Sequence, residues 1–315
     1  MIELSFSNCN HMSPPYHPIF EQFNRYRGPV KDGSIALDFL GTMARREFLQ
    51  SAIGSCPSYL ETNYPPVNED VFAWIDLLTA VLEARQSFTM MELGAGYGLW
   101  GVRAAKAVQQ QRGIPFKIVA VEAEPHHFTW LRATFADNGL NVADHGLIEA
   151  AVSDTTGTAL FYIASPDGEY ADPREWYGQS LIKDYEAVAE VVGSSDGGRQ
   201  VMVLKSGWRG IEVPRITLND LLADYAVVDL IHMDVQGQEL PVVRASIELI
   251  DSRVKYFHIG THSREIETEL RQIFGSHHWT CRADFPGNRE HHTPFGTIVL
   301  EDGIQSWSNP KFCSG

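Results

Sequence analysis

The sequence has no run of about eighteen consecutive apolar residues, so nothing in it reads as a membrane-spanning helix. Its opening stretch, Met1–Asn10, lacks a basic segment followed by an apolar one, and no secretory leader is expected there. Cysteine is scarce and scattered. Cys9, Cys56, Cys281 and Cys313 form no C-x-x-C pair, which argues against a zinc knuckle or a disulfide framework and fits a reducing cytoplasm. Positive charge is also short: 25 Lys and Arg stand against 40 Asp and Glu, a net charge of -15. Such a field repels a phosphate backbone, so neither nucleic acid nor a membrane is expected as a partner. Internal repeats and low-complexity tracts are missing as well. A length of 315 residues is enough for one large α/β domain with an attachment.

What is present begins with an irregular stretch. Residues 1–67 carry Pro14, Pro15, Pro18, Pro57, Pro65 and Pro66 among aromatics, a pattern that no single long helix can hold. We read it as an arm or cap. Residues 68–305 read as the core, with an insertion at 165–210 on the acceptor side, and 306–315 as a tail. Val71, Phe72, Ile75, Leu78 and Leu82 recur at helical spacing behind a candidate N-cap, Asn68. Apolar strands then alternate with helices of about three turns, which predicts βαβ units, a mostly parallel sheet and helices on both faces. His145–Val152 reads as one strand. His278–Ala283 and Gly296–Glu301 read as two closing strands, and with no helix between them they predict an antiparallel edge hairpin.

Four blocks carry chemistry. The first is Met91-Glu92-Leu93-Gly94-Ala95-Gly96-Tyr97-Gly98, between an apolar strand and a helix. Glycines there allow a tight turn and close approach of a ligand. Leu99 occupies the place of the third glycine of a dinucleotide fingerprint, and the acidic Glu92 suits a cationic or ammonium-bearing ligand better than a pyrophosphate. The second is Val121-Glu122-Ala123-Glu124-Pro125, where an acidic strand end suits ribose hydroxyls; Glu122 is the candidate, and Glu124 starts the next helix. The third ends at Asp234 and runs on through Gln236, Gly237 and Glu239; Asp234 can orient an acceptor hydroxyl, ligate a metal or hold the amino-acid end of a cofactor. The fourth ends at His262, on the same carboxyl edge, where an imidazole can take a proton from an attacking hydroxyl. His232 and His258 read as core histidines. The pairs 126–127, 277–278 and 291–292 read as surface or loop residues, because neighbouring residues point apart. A metal site from Asp234, Glu239 and His262 is conceivable. No metal ligand is assigned, since Asp and His serve equally without one.

With these blocks in family order over roughly residues 88–260, the chain resembles the FkbM family of methyltransferases. The resemblance also covers Ala151-Val152-Ser153-Asp154 with Gly157, and the start of a helix at Thr217–Leu222. It implies a Rossmann-like class I methyltransferase fold, with a seven-stranded, mostly parallel sheet and an antiparallel edge strand. It implies S-adenosylmethionine as cofactor. Glu92, Gly94, Ala95 and Gly96 then hold its methionine part and Glu122 its ribose, with Ala123 beside it, while Ala151 and Val152 flank the adenine. The expected reaction is methyl transfer to a hydroxyl of a sugar or small-molecule acceptor, with His262 as base and Asp234 as orienter; a divalent metal and a homo-oligomer stay open. Many relatives carry Lys at the position of His232 and Glu at that of Gln236, so this chain departs from the family at its acceptor side. Tyr170, Trp176 and Tyr177 of the insertion are candidates to close over the acceptor. The alternatives are a nicotinamide-dependent oxidoreductase and a non-catalytic protein that retains the fold.

Overall fold

Proline and aromatic residues shape the first part of the chain in the structure, a computed structural model that describes residues 16–30, 33–49, 57–165, 177–182, 188–194 and 198–313. Cys9, Cys56, Tyr170 and Trp176 lie outside the described residues. After a short 3-10 turn at Pro18–Gln22, the arm forms two small antiparallel pairs, β1 (Arg27–Pro29) with β4 (Tyr59–Glu61), and β2 (Ile35–Leu37) with β3 (Met43–Arg45). It is anchored by apolar burial: Phe20, Phe23 and Phe39 join the same cluster as Trp74 of the first long helix. Arg45 adds a two-pronged contact to Asp137.

The periodic segments form the expected alternation. Helix α1 spans Val71–Glu83, β5 Phe88–Leu93, α2 Leu99–Gln111, β6 Phe116–Glu122 and α3 Pro125–Asp137. They are followed by β7 (Gly146–Glu149), β8 (Ala151–Ser153), β9 (Gly157–Ala164), β10 (Val188–Ser194), β11 (Gln200–Leu204) and β12 (Arg209–Thr217). The chain then runs through α4 (Leu218–Ala223), β13 (Val228–Met233), α5 (Glu239–Arg253), β14 (Val254–Thr261) and α6 (Arg264–Ser276). It closes with β15 (Thr280–Phe285), β16 (Arg289–Thr293), β17 (Gly296–Leu300) and β18 (Gly303–Ser308). The caps follow the residue chemistry. Thr217 and Asp220 make a reciprocal capping box, and Glu124 and Ser263 each accept a backbone N–H of the helix they precede. The first long helix departs from expectation: Asp70 is its N-cap, and Asn68 instead accepts the Asp70 N–H.

The main sheet has seven strands in the order β15-β18-β14-β13-β5-β6-β7. All neighbouring pairs from β14 to β7 are parallel, and β18 is antiparallel to both β14 and β15. The mostly parallel sheet is what the alternation predicted, and its seven strands with an antiparallel member are the Rossmann-like arrangement the resemblance implied. Met90, Ile118, Ala120 and Leu230 pack against α1, α2 and α3 on one face. Met91, Val121, Ile231 and Met233 pack with residues of α4, α5 and α6 on the other. Each fully buried Leu, Ile, Met or Phe contributes about 1.5–3 kcal/mol, so the two layers carry most of the fold's stability.

Four expectations are corrected. The closing pair is β15 with β18, not with Gly296–Leu300, which instead pairs with β16 as a separate hairpin. The supposed tail therefore begins inside the sheet: Ile304 and Trp307 are buried and β18 is bonded along both edges. His145–Val152 is not one strand, because the chain breaks at Ala150. β7 stays in the main sheet, while β8 moves to a second sheet with β9, β10, β11 and β12. The insertion, read as loop, supplies much of that second sheet.

Candidate active site

The carboxyl ends of β5, β6 and β13 meet at one edge, because these three strands and β14 are parallel and in register. Met233 lies beside Leu93, and Leu93 beside Val121. The glycine loop leaves β5 there. Gly94 and Ala95 both donate to the Val121 carbonyl, at 3.0 and 2.9 Å, while Asp234 N donates to the Leu93 carbonyl at 2.9 Å. Gly94 has φ +77, and a Cβ added to it would stand 1.8 Å from the Asp234 carbonyl oxygen. Only glycine fits this crossing of two strand tips.

The two glutamates at the tips are buried and occupied. Glu92 accepts the N–H groups of Trp100 and Gly101 in the first turn of α2, at 3.1 and 2.8 Å. Its carboxylate thus holds the glycine loop against the helix that follows, a task that satisfies two of that helix's free N–H groups. Glu122 accepts from Gly96 N at 2.7 Å and from Glu124 N at 2.8 Å, so it ties the loop to the start of α3. Burial pushes Glu92 up to about 8 and Glu122 up to about 7, in each case against the pull of those N–H donors. Ala123 and Ala151 are buried in one apolar cluster beside Glu122, and Val152 packs into the main core. Tyr177 brings the insertion onto the loop. Its ring lies 3.4 Å from where a Gly96 Cβ would be, stacks on His127 at 4.3 Å and donates its hydroxyl to the Phe48 carbonyl.

The second centre lies at the ends of β13 and β14. His262 follows β14, and its Nδ1 is 2.8 Å from Glu239 Oε1 on the first residue of α5. A carboxylate there accepts a hydrogen bond from Nδ1–H, which leaves Nε2 as the working nitrogen. Nε2 stands 3.3 Å from Asp234 Oδ1 and 3.7 Å from Asp302 Oδ2. Glu239 Oε1 also accepts Val235 N and Gly237 N, so the turn after β13 fixes the carboxylate that fixes the histidine. Gln236, held at φ 50, reaches Asp234 Oδ1 at 3.2 Å. Desolvation alone would lower His262; the Glu239 hydrogen bond and the charges of Glu239, Asp234 and Asp302 outweigh it and push the pKa up to about 9. Burial raises Asp234 against the attraction of His262.

The sequence-predicted residues therefore gather at one edge. Glu92, Gly94, Ala95, Gly96, Glu122, Ala123 and Ala151 surround the loop, and Asp234 links it to His262. Val152 lies one residue further into the core cluster. His232 and His258 are buried on the α1–α2 face. Their rings stack at 5.2 Å, His232 also stacks on Trp100, and His258 Nδ1 is 2.9 Å from Asp76. The sequence analysis missed two things. Asp302 sits in a turn forty residues beyond His262 and no pattern marked it. Glu239 was noted only as a ligand, since nothing local reveals that a helix-start carboxylate meets a histidine 23 residues on.

Glu92, Glu122 and His262 give stability the same sign of pH dependence. Glu92 and Glu122 ionise less readily folded than unfolded, so their contribution is complete below about 4.5 and is lost as pH rises through about 7 and 8. His262 is raised from 6.5, so its contribution is complete below that value and is lost through about 9. Burial lowers His232 well below 6.5, an opposing contribution that is complete above that pH. The urea midpoint is therefore expected to fall between pH 7 and pH 9; a flat or rising curve over that range rejects this assignment.

Comparison with known proteins adds a sequence match to this geometry. The model of the methyltransferase FkbM domain matches residues 92–278, more than half of the chain and both centres. A protein from Jannaschia sp. (strain CCS1) named "Putative methyltransferase" is 28% identical over 265 residues, covering 82% of this chain and 87% of its own. Among solved structures, the methyltransferase FkbM from Methylobacillus flagellatus KT aligns with TM-score 0.39 and 14% identity over 71% of this chain and 44% of its own. The precorrin-6y C5,15-methyltransferase from Geobacter metallireducens GS-15 aligns with TM-score 0.40 and 11% identity over 77% and 89%.

Proposed function

The chain belongs to the FkbM methyltransferase family, and from that premise we propose that it moves a methyl group from S-adenosylmethionine to a hydroxyl oxygen of a sugar or other small-molecule acceptor. The reading is carried by one observation: a histidine oriented by a buried carboxylate stands at the same sheet edge as the glycine loop, with Asp234 between them. The donor set around the loop suits this cofactor. Two buried glutamates with raised pKa values favour a ligand that brings positive charge, as the sulfonium and ammonium groups do. A pyrophosphate would want a cation, but Arg103 of α2 is bonded to Asp38 and lies over the rings of Trp74 and Trp100. The nicotinamide-dependent alternative thus gives way to methyl transfer.

Gly94, Ala95 and Gly96 give the methionine end its close approach, with Glu92 as the buried carboxyl behind them. Glu122 accepts from the ribose hydroxyls, and Ala123 and Ala151 form the apolar wall for the base. Tyr177 covers the outer side of Gly96 and keeps water from the loop. When bound, the cofactor supplies an electrophilic methyl. The protein's own task is to align the acceptor oxygen, through Asp234, and to remove its proton, through His262 Nε2. The acidic mouth and the chain's net charge favour a small-molecule or glycan acceptor over nucleic acid.

Calorimetry with S-adenosylhomocysteine tests the cofactor half, and a screen of hydroxylated acceptors with a labelled methyl donor tests the other. The native chain is expected to bind S-adenosylhomocysteine at one site. The Glu122→Gln variant is expected to bind it about 10- to 100-fold more weakly, the value of charge-assisted ribose hydrogen bonds worth about 1.5–3 kcal/mol. Unchanged affinity in that variant removes Glu122 from the ribose site. A non-catalytic protein would bind the nucleoside and transfer no label to any acceptor.

A further inference from the structure

We propose that His262 Nε2, Asp234 and Asp302 also form a site for one divalent cation of the zinc type, with Glu239 orienting the imidazole from Nδ1. Asp234, Glu239 and His262 bring ligand-type atoms within 4.8 Å of one another, Glu239 from the Nδ1 side of the ring. More than proximity supports it. Glu239 is completely buried and its Oε1 holds Nδ1, so the ring is fixed with Nε2 toward Asp234 and Asp302. His262 Nε2 is a buried atom with no hydrogen-bond partner. Two ligands each about 2.1 Å from a shared ion lie roughly 3.0–3.4 Å apart at octahedral or tetrahedral angles, and Nε2 is 3.3 Å from Asp234 Oδ1. Asp302 Oδ2, at 3.7 Å from Nε2, is placed to join from the β17–β18 turn.

The imidazole is already set for metal. A ligating histidine usually gives its other N–H to a carboxylate, and Nδ1 does so here to Glu239. The surrounding field is negative. The charges that act on His262 come from Glu239, Asp234 and Asp302, and those that act on nearby Glu69 come from Asp70, Glu301, Asp302 and Asp234. Imidazole among carboxylates selects a borderline ion such as zinc over magnesium, which prefers oxygen and retains its waters. The lone pair that takes the ion is the one that would accept a proton from the acceptor. Ion occupancy and base catalysis therefore exclude each other at Nε2, and zinc acts as an inhibitor of methyl transfer.

The test needs no acceptor. The full chain, stripped of metal with a chelator, is titrated with zinc chloride and separately with magnesium chloride in a calorimeter. We expect one zinc per chain and no comparable heat with magnesium. His262→Ala and Asp234→Asn should each remove zinc binding, and Glu239→Gln should weaken it about 10- to 100-fold. Circular dichroism and the urea midpoint establish that each variant is folded. If one substitution prevents folding, the other decides. Absence of one-to-one zinc binding in the native chain overturns the proposal. So does zinc binding that survives both His262→Ala and Asp234→Asn, which would assign the ion to another histidine. Neither result bears on whether the chain binds the methyl donor, so failure here is separable from failure of the methyltransferase reading.

Discussion

The His262→Ala protein is expected to bind the methyl donor normally and to lose methyl transfer by about 10²–10⁴-fold, the usual value of a general base. Glu92, Gly96 and Glu122 make their hydrogen bonds without this imidazole. Its contacts are Glu239, Asp234 and Asp302, all at the β13–β14 ends. The native enzyme should show a rate that climbs with pH until His262 releases its proton near 9, because only neutral Nε2 can accept one. Bound cofactor brings positive charge into the same edge and should draw that limb downward. Glu239→Gln separates positioning from simple structure. Removing the charge that most strongly holds the proton should shift the acid limb to lower pH, while a purely structural residue would change the rate without moving the limb. An enzyme with full turnover after His262→Ala would remove the histidine from the reaction.

Gly94→Ala is the second large effect, and it is a matter of backbone. The residue has φ +77, where a Cβ costs about 1–2 kcal/mol, and that Cβ would meet the Asp234 carbonyl at 1.8 Å. The obstruction is main chain from the neighbouring strand and cannot rotate away. Relief requires β5 and β13 to part at their tips, an overpacking cost of about 1–3 kcal/mol more. We expect a loss of roughly 2–5 kcal/mol in urea unfolding, together with loss of S-adenosylhomocysteine binding. Gly139→Ala is the control: it has φ +75 but nothing within 4 Å of its added Cβ, so it should show only the conformational part. Equal losses in the two variants would refute the steric account.

Much of this site was legible in the sequence because it is built from local patterns. A strand, a glycine turn and a helix are contiguous, so Glu92 and the glycines could be placed with no knowledge of the rest. Glu122 followed from the next strand end in the same way. The roles of these residues are less local. Glu92 looked like a ligand for the cofactor's charge, and the structure shows both its oxygens accepting the N–H groups of Trp100 and Gly101. The break at Ala150 was hidden because β7 and β8 are both apolar and extended. Only their pairing, with β6 in one sheet and with β12 in the other, tells them apart. The excursion of β16 and β17 also hid β18, whose partners lie across the sheet and not beside it in the chain.

The amino-acid sequence by itself determined the alternating parallel core, the glycine loop and the acidic strand tips, because side-chain periodicity and glycine's backbone freedom act over a few residues. Only the tertiary structure decided that Glu239 would orient His262, that Asp302 would face it, and that Tyr177 would cover Gly96. Those contacts join segments 23, 40 and 81 residues apart. Separations of that size are closed by the packing of helices and strands around the sheet, which no spacing along the chain records.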